Sequence, residues 1–170
     1  MVRANIETTR LYLRPVATED LDALCLLDTD TEVRHFFPEG ALTPFHVQKE
    51  IERFIHEWET LGFGMFSVFE KINNQLIGRG GFAKLQSGEV EMGFLFLKEY
   101  WGQGFATEAS IALLEWAKTH VPAPRIVAFA PLHHLASLRV IQKSGMVFFK
   151  EDYYQNIPCA FYQSFNVYRV

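Results

Sequence analysis

Residues 99–108 read EYWGQGFATE, with glycines at 102 and 104 on either side of Gln103. They stand where an extended-type stretch, EVEMGFLFL from Glu89 to Leu97, hands over to the helix-forming TEASIALLEWAKTH. A helix N-terminus leaves about four backbone N–H groups without intrahelical partners and carries the positive end of the helix dipole. Glycine at such an entrance lets an anion's oxygens reach the N–H groups directly, and the small Ala106 widens the same access. The chemistry suggested is phosphate binding by main chain. A tight strand-to-helix turn is the simpler alternative. A dinucleotide fingerprint is the other, but Thr107 stands at its third glycine position and the preceding strand belongs to a meander.

A second group able to do chemistry lies just upstream. Glu91 falls two residues before Gly93, and Glu89 alternates to the same strand face. A carboxylate there can serve as a general base, or it can pair with Lys84 or Arg79 as an ordinary surface charge. The six histidines (His35, His46, His56, His120, His133, His134) show no metal-site spacing, and the cysteines, Cys25 and Cys159, are far apart. No metal is expected, and the thiols are read as reduced.

These groups need a scaffold. IETTRLYLRP alternates apolar and polar residues and reads as one strand ending at Pro15. ATEDLDALCLLD reads as a helix with Thr18 as N-cap, and TPFHVQKEIERFIHEWETLG as an amphipathic helix with Thr43 and Pro44 at its start and Gly62 at its end. FGMFSVFEK, QLIGRGGFAKL and EVEMGFLFL form three strands joined by hairpins at INN and QSG. After the helix from Gly104 to about His120 come the strand RIVAFAP, the helix ASLRVIQKSG, and the strands MVFFKEDYY and CAFYQSFNVYRV. The order β-α-α-β-β-β-α-β-α-β-β predicts a largely antiparallel α+β sheet with one parallel pairing across the helix that begins at Gly104.

The 170 residues suit one domain over 1–170. Hydrophobic residues make up 49% and charged residues 21%, with 16 phenylalanines, so a packed, unusually aromatic core is expected. A net charge of −4 supplies no positive field for nucleic acid. The N-terminus lacks the apolar stretch of a secretory signal, and no run has membrane-spanning length. The expectation is a cytoplasmic protein, monomer or homodimer, without nucleic-acid or membrane partners.

With its flanks, EMGFLFLKEYWGQGFATEA resembles the acyl-coenzyme A loop of the Gcn5-related N-acetyltransferase (GNAT) family. Gly104 and Ala106 fill the last two named positions of that pattern, and Trp101 replaces its Gln or Arg. This variation is usual in the branch resembling the ribosomal-protein N-terminal (RimJ/RimL-like) acetyltransferases. Two further stretches match that branch: TRLYLRP from Thr9 to Pro15, and HLAS from His134 to Ser137 followed by KSGM from Lys143. The resemblance spans Thr9 to Met146.

The resemblance implies a sheet splayed between its fourth and fifth strands, helices on both faces, and acetyl-CoA as co-substrate. Main chain at Phe94, Leu95 and Phe96 would pair with the pantetheine arm, as an added strand would. The N–H groups from Trp101 through Gly102, Gln103, Gly104 and Phe105 to Ala106 would hold the pyrophosphate. His134 takes the place of the family's cofactor-contacting Asn, and Ile141 that of its tyrosine acid, leaving Ser137 either as the substitute donor to the thiolate or as an ordinary residue of a helix N-terminus. Glu91 is the implied base in transfer to a primary amine, on a protein N-terminus or a small molecule. A non-catalytic acyl-CoA-binding module is the alternative. The acceptor walls would draw on Phe36, Phe37, Trp58, Tyr153, Tyr154 and Tyr162, each of which could instead be core.

Overall fold

The computed structural model describes residues 4–166. Eight strands form one sheet in the order β1-β2-β3-β4-β5-β6-β8-β7. β1 is Ile6–Glu7, β2 Leu11–Pro15, β3 Met65–Glu70, β4 Gln75–Lys84, β5 Val90–Phe96, β6 Arg125–Pro131, β7 Val147–Tyr154 and β8 Ile157–Phe165. The helices are α1 (Leu21–Asp28), α2 (Pro44–Leu61), α3 (Phe105–His120) and α4 (Leu135–Lys143). Every pairing is antiparallel except β5 with β6, which α3 joins as a crossover from the end of one strand back to the start of the next. The α+β architecture is the one the sequence implies.

Three details differ from the sequence reading. IETTRLYLRP is not one strand: the chain turns at Thr8 and Thr9, where Thr8 N–H donates to the Leu11 carbonyl at 2.9 Å, so β1 and β2 pair with each other. Thr18 does not cap α1. A short 3-10 turn, Thr18–Asp20, precedes the helix, and the Asp20 carboxylate accepts from the Ala17 N–H at 2.9 Å. β8 begins at Ile157, two residues earlier than read, and the last part of that segment, 167–170, lies outside the described residues. The α2 expectation holds: Thr43 Oγ1 accepts from the His46 N–H, Pro44 is the first helical residue, and Gly62 ends the helix at φ 76°.

Strand alternation separates two cores. Phe66, Val68, Ile77, Phe82 and Met92 face α3 and α4, where an aromatic group of Trp58, Phe66, Phe82 and Trp116 packs with ring centroids 4.9–6.0 Å apart. Phe66 is fully buried, so truncating it to alanine would cost about 3–5 kcal/mol. Met65, Leu76 and Leu95 face the other way, onto Leu24, Leu27, Val47, Ile51 and Phe54 of α1 and α2. Helices therefore cover both faces, but α1 and α2 cover theirs only from β2 to β5.

A buried charge cluster fixes the loop between α1 and α2. Asp28, the last residue of α1, accepts from Arg79 Nε at 3.1 Å and Nη2 at 2.8 Å, and from Arg34 Nη1 at 2.8 Å. Arg34 Nε also donates to the Gly40 carbonyl at 2.6 Å. Burial alone would raise the Asp28 pKa, but the two guanidiniums outweigh it and hold the carboxyl below its ordinary value. The loop bearing Phe36 and Phe37 is thereby pinned to β4.

Candidate active site

β5 and β6 stay paired only at Val90↔Ile126 and Glu91↔Val127, after which β5 continues to Phe96 and β6 to Pro131 without meeting. The gap opens into a cleft of about 1560 Å3, lined by both strands, the α3 entrance, the start of α4, β7 and the α1–α2 loop. Sites for drug-sized ligands occupy about 300–1000 Å3, so there is room for two reactants.

Main-chain direction decides what the gap offers. The Leu97 N–H donates to the Ile77 carbonyl at 2.9 Å, so by antiparallel alternation Leu95 and Gly93 also point to β4. Phe94 and Phe96 point the other way, into the gap. The Phe96 carbonyl is taken by Trp101 Nε1 at 2.9 Å, which leaves the Phe96 N–H and both polar groups of Phe94. The expectation that Leu95 supplies a main-chain contact is therefore corrected. Its ladder bonds are committed to β4 and its side chain to the core beneath α2.

At the α3 entrance Gly102 and Gly104 have φ of 72° and 83°. Both occupy the left-handed region that a side chain disfavours, so backbone geometry by itself favours glycine here. Among the described residues, the N–H groups from Gly102 to Thr107 have no hydrogen-bond acceptor. Gln103 points away: its side-chain amide donates to the Glu99 carbonyl at 2.8 Å, and its own carbonyl accepts from Arg10 Nη1 at 2.9 Å. Phe105 is buried against Tyr100 and Arg10, so it offers only its N–H.

Glu91 is the second residue of β5 and lines the cleft. Neighbouring carboxylates are paired, Glu89 with Arg125 and Asp152 with Lys150 at 3.0 Å, whereas Glu91 has no cationic partner among the described residues. Its Oε1 lies 3.9 Å from the position a Gly93 Cβ would take, so the side chain leans along the strand into the cleft. Burial without a compensating cation pushes its carboxyl up to about 7.

The remaining expected residues come from α4 and the loops. His134 precedes α4, with its ring stacked on Phe36 across the cleft at 3.8 Å and 11°. Burial, with His133 and His35 nearby, pulls its pKa down to about 4, so the ring is neutral at pH 7. Ser137 lines the cleft half-buried, its hydroxyl unbonded among the described residues, and Ile141 packs into the core. Of the aromatic residues considered for the acceptor side, Phe36, Phe37, Tyr153 and Tyr154 line the cleft, and Trp58 and Tyr162 are core. Sequence reasoning missed Arg10, Thr8 and Glu108. TRLYLRP marked the segment, but nothing local said that it touches α3. No cluster of three or more His, Cys, Asp or Glu able to hold a metal occurs among the described residues, and none of their helices is long and apolar enough to cross a membrane.

A strand gap edged by free amides, beside a helix entrance with bare N–H groups, fits a ligand with an amide-rich arm and a diphosphate. Acyl-coenzyme A is a ligand of that kind, and the proteins that use it this way include acyl-coenzyme A-dependent transferases. The acetyltransferase (GNAT) domain family model matches residues 10–147, and the chain belongs to that family. It is an acetyl-CoA-dependent acetyltransferase, with acetyl-CoA as co-substrate. An uncharacterized N-acetyltransferase, p20, of Bacillus licheniformis is 28% identical over 148 residues, 82% of this chain and 83% of that protein. A GNAT-family acetyltransferase from Bacillus anthracis superposes with a TM-score of 0.79 at 25% identity, covering 96% of this chain and 99% of that one. RimL, a ribosomal L7/L12 alpha-N-protein acetyltransferase solved with coenzyme A, shares the fold at TM-score 0.82 and 17% identity, over 96% and 99% of the two chains.

Proposed function

We propose that the protein transfers the acetyl group of acetyl-CoA directly to a primary amine, with Glu91 receiving the amine's proton. The observation that carries this reading is the Glu91 carboxylate, unpaired among the described residues and facing the cleft with its pKa near 7. When bound, acetyl-CoA supplies an electrophilic thioester carbonyl and a thiol leaving group. An alkyl amine of pKa near 10 is almost wholly protonated at neutral pH and cannot attack until it loses a proton. A carboxylate of pKa near 7 balances being ionised against being basic enough to accept that proton, directly or through water. The N–C bond forms and the C–S bond breaks; of the two protons the ammonium nitrogen loses on its way to the amide, one leaves with Glu91 and the other goes to the departing thiolate, which is released as the thiol.

The Phe94 N–H, directed into the gap, is suited to polarise the carbonyl as charge develops on its oxygen. A thiolate of pKa about 8.5, by analogy with cysteine, is a tolerable leaving group, so the Ser137 hydroxyl is a useful but dispensable donor. We assign the N–H groups from Gly102 to Ala106 to the diphosphate, and Phe94 and Phe96 to the pantetheine arm. Trp101 holds that edge through the Phe96 carbonyl, and His134 walls the arm by its stack on Phe36. The acceptor enters beside Phe36, Phe37, Tyr153 and Tyr154. Both a protein N-terminus, the kind of acceptor used by RimL, a ribosomal L7/L12 alpha-N-protein acetyltransferase, and a small amine fit an open basin.

Thiol release from acetyl-CoA, measured over peptides with free N-termini, a polyamine, an amino sugar and amino acids, tests the reading. Turnover on at least one amine is expected. Turnover that Glu91→Gln leaves intact removes Glu91 from the mechanism.

A further inference from the structure

We propose that Arg10, with Thr8, is a positioning residue for the diphosphate of acetyl-CoA, aiming the amides of the α3 entrance and cancelling a carboxylate beside them. The inference rests on the acetyl-CoA reading above and adds residues from the turn between β1 and β2, nearly a hundred positions earlier in the chain.

Three side-chain contacts join Arg10 to the entrance. Its Nη1 donates to the Gln103 carbonyl at 2.9 Å. In a trans peptide the carbonyl and the following N–H point in opposite directions, so drawing Gln103 O toward the β1–β2 turn directs the Gly104 N–H the other way. Gly104 lines the cleft. The guanidinium also lies 4.1 Å over the ring of Phe105, the buried first residue of α3, so its position is fixed from a second side. Third, its Nε donates to Glu108 Oε1 at 3.0 Å.

Glu108 is the reason a charge is needed. It stands in the first turn of α3, where a carboxylate suits the helix dipole but opposes a bound diphosphate. Glu108 Oε2 accepts from Thr8 Oγ1 at 2.7 Å and from the Arg10 backbone N–H at 3.1 Å, while Arg10 Nε holds the other oxygen. Burial raises the Glu108 pKa, but these bonds and the Arg10 charge outweigh it, so the group is ionised and neutralised in place. Arginine suits the role because its planar fork reaches Gln103 and Glu108 at once and stays charged at any working pH; lysine supplies the charge without the fork.

The test compares donors that share a thioester: acetyl-CoA, its truncated form S-acetylpantetheine, which lacks both the diphosphate and the 3′-phosphoadenosine, and 3′-dephospho-acetyl-CoA, which keeps the diphosphate and should behave like acetyl-CoA. Calorimetry with coenzyme A and with pantetheine gives the binding counterpart. For Arg10→Met the specificity constant on acetyl-CoA is expected to fall about 10- to 100-fold more than that on S-acetylpantetheine, through KM rather than kcat, as for loss of a charge-assisted bond. Arg10→Lys should recover part of the difference. Thr8→Val, which keeps Arg10, should show a smaller loss of the same donor selectivity, and it carries the test if Arg10→Met does not fold. Equal losses on acetyl-CoA and S-acetylpantetheine, or no loss on either, overturn the proposal. Wild-type protein that binds pantetheine as tightly as coenzyme A would instead sink the diphosphate assignment itself, so the two failures are distinguishable.

Discussion

Replacing Glu91 by glutamine keeps the shape of the side chain and removes its charge, and the structure assigns that charge two measurable consequences. The first is kinetic. If the carboxylate takes the amine's proton, kcat should fall about 10²-fold or more, within the usual span for general bases, while calorimetric affinity for coenzyme A stays unchanged. With an alkyl-amine acceptor of pKa near 10, whose own ionisation lies well above this range, the wild-type pH–rate profile should rise through a limb near 7 that the variant lacks. The second is thermodynamic. Because the folded pKa is raised from 4.5 to about 7, the native state holds more protons than the unfolded chain between those values, and stability falls as pH rises through that window. Linkage puts this loss at roughly 2 kcal/mol between about pH 5.5 and about pH 8, and solvent screening brings it nearer to 1 kcal/mol. Urea unfolding of both proteins at the two pH values isolates the term, since the variant-minus-wild-type difference subtracts His134, whose shift acts in the opposite sense. A variant with full activity, an intact limb near pH 7 and the same pH dependence of stability would refute the reasoning.

Other substitutions probe separate parts. Gly104→Val forces a β-branched residue to φ 83° and brings its Cβ to 3.3 Å from Arg10 Nη2, so coenzyme A affinity should drop at least about tenfold by calorimetry; unchanged affinity would count against the entrance as the diphosphate site. Asp28→Leu leaves two buried guanidiniums without their carboxylate and should cost about 3–5 kcal/mol in urea unfolding. Loss of under about 1 kcal/mol would mean that the cluster does not hold the loop. For His134 the folded pKa of about 4 lies below the unfolded 6.5, so its contribution is present above 6.5 and is lost as pH falls toward 4. His134→Phe should therefore flatten the fall in melting temperature over that range, and an unaltered fall would remove the Phe36 stack as its cause.

What the sequence disclosed was local in origin. Thr43, Pro44 and Gly62 mark the ends of α2 because caps act within one turn, and INN and QSG mark hairpins because turn conformation is set by the turn residues themselves. That Glu91 and the 102–106 loop border one cleft was legible only through the family resemblance added to strand alternation and a helix entrance, which are short-range patterns. The unread features join distant residues. Thr8 and Thr9 look like strand residues until the chain folds back on itself, and Thr8 then meets Glu108. Asp28 meets Arg79 from 51 positions away. Leu95 was misassigned because the direction of a strand's amides depends on register with β4, which one strand's sequence does not carry. His134 was read as a polar contact; its stack on Phe36 is a meeting of two loops that leaves no local signature.

The gap between β5 and β6 is a sheet margin placed in the middle of a sheet. Any exposed margin can recruit a stray extended chain, and this one must stay available for a cofactor arm. Its defence is brevity. Toward the end of β5 the Phe94 and Phe96 amides and the Phe94 carbonyl are on offer before Trp101 occupies the next acceptor and the chain turns into the α3 entrance. A passing peptide finds too few rungs to climb, whereas a ligand that brings its own anchor at the far end needs no more.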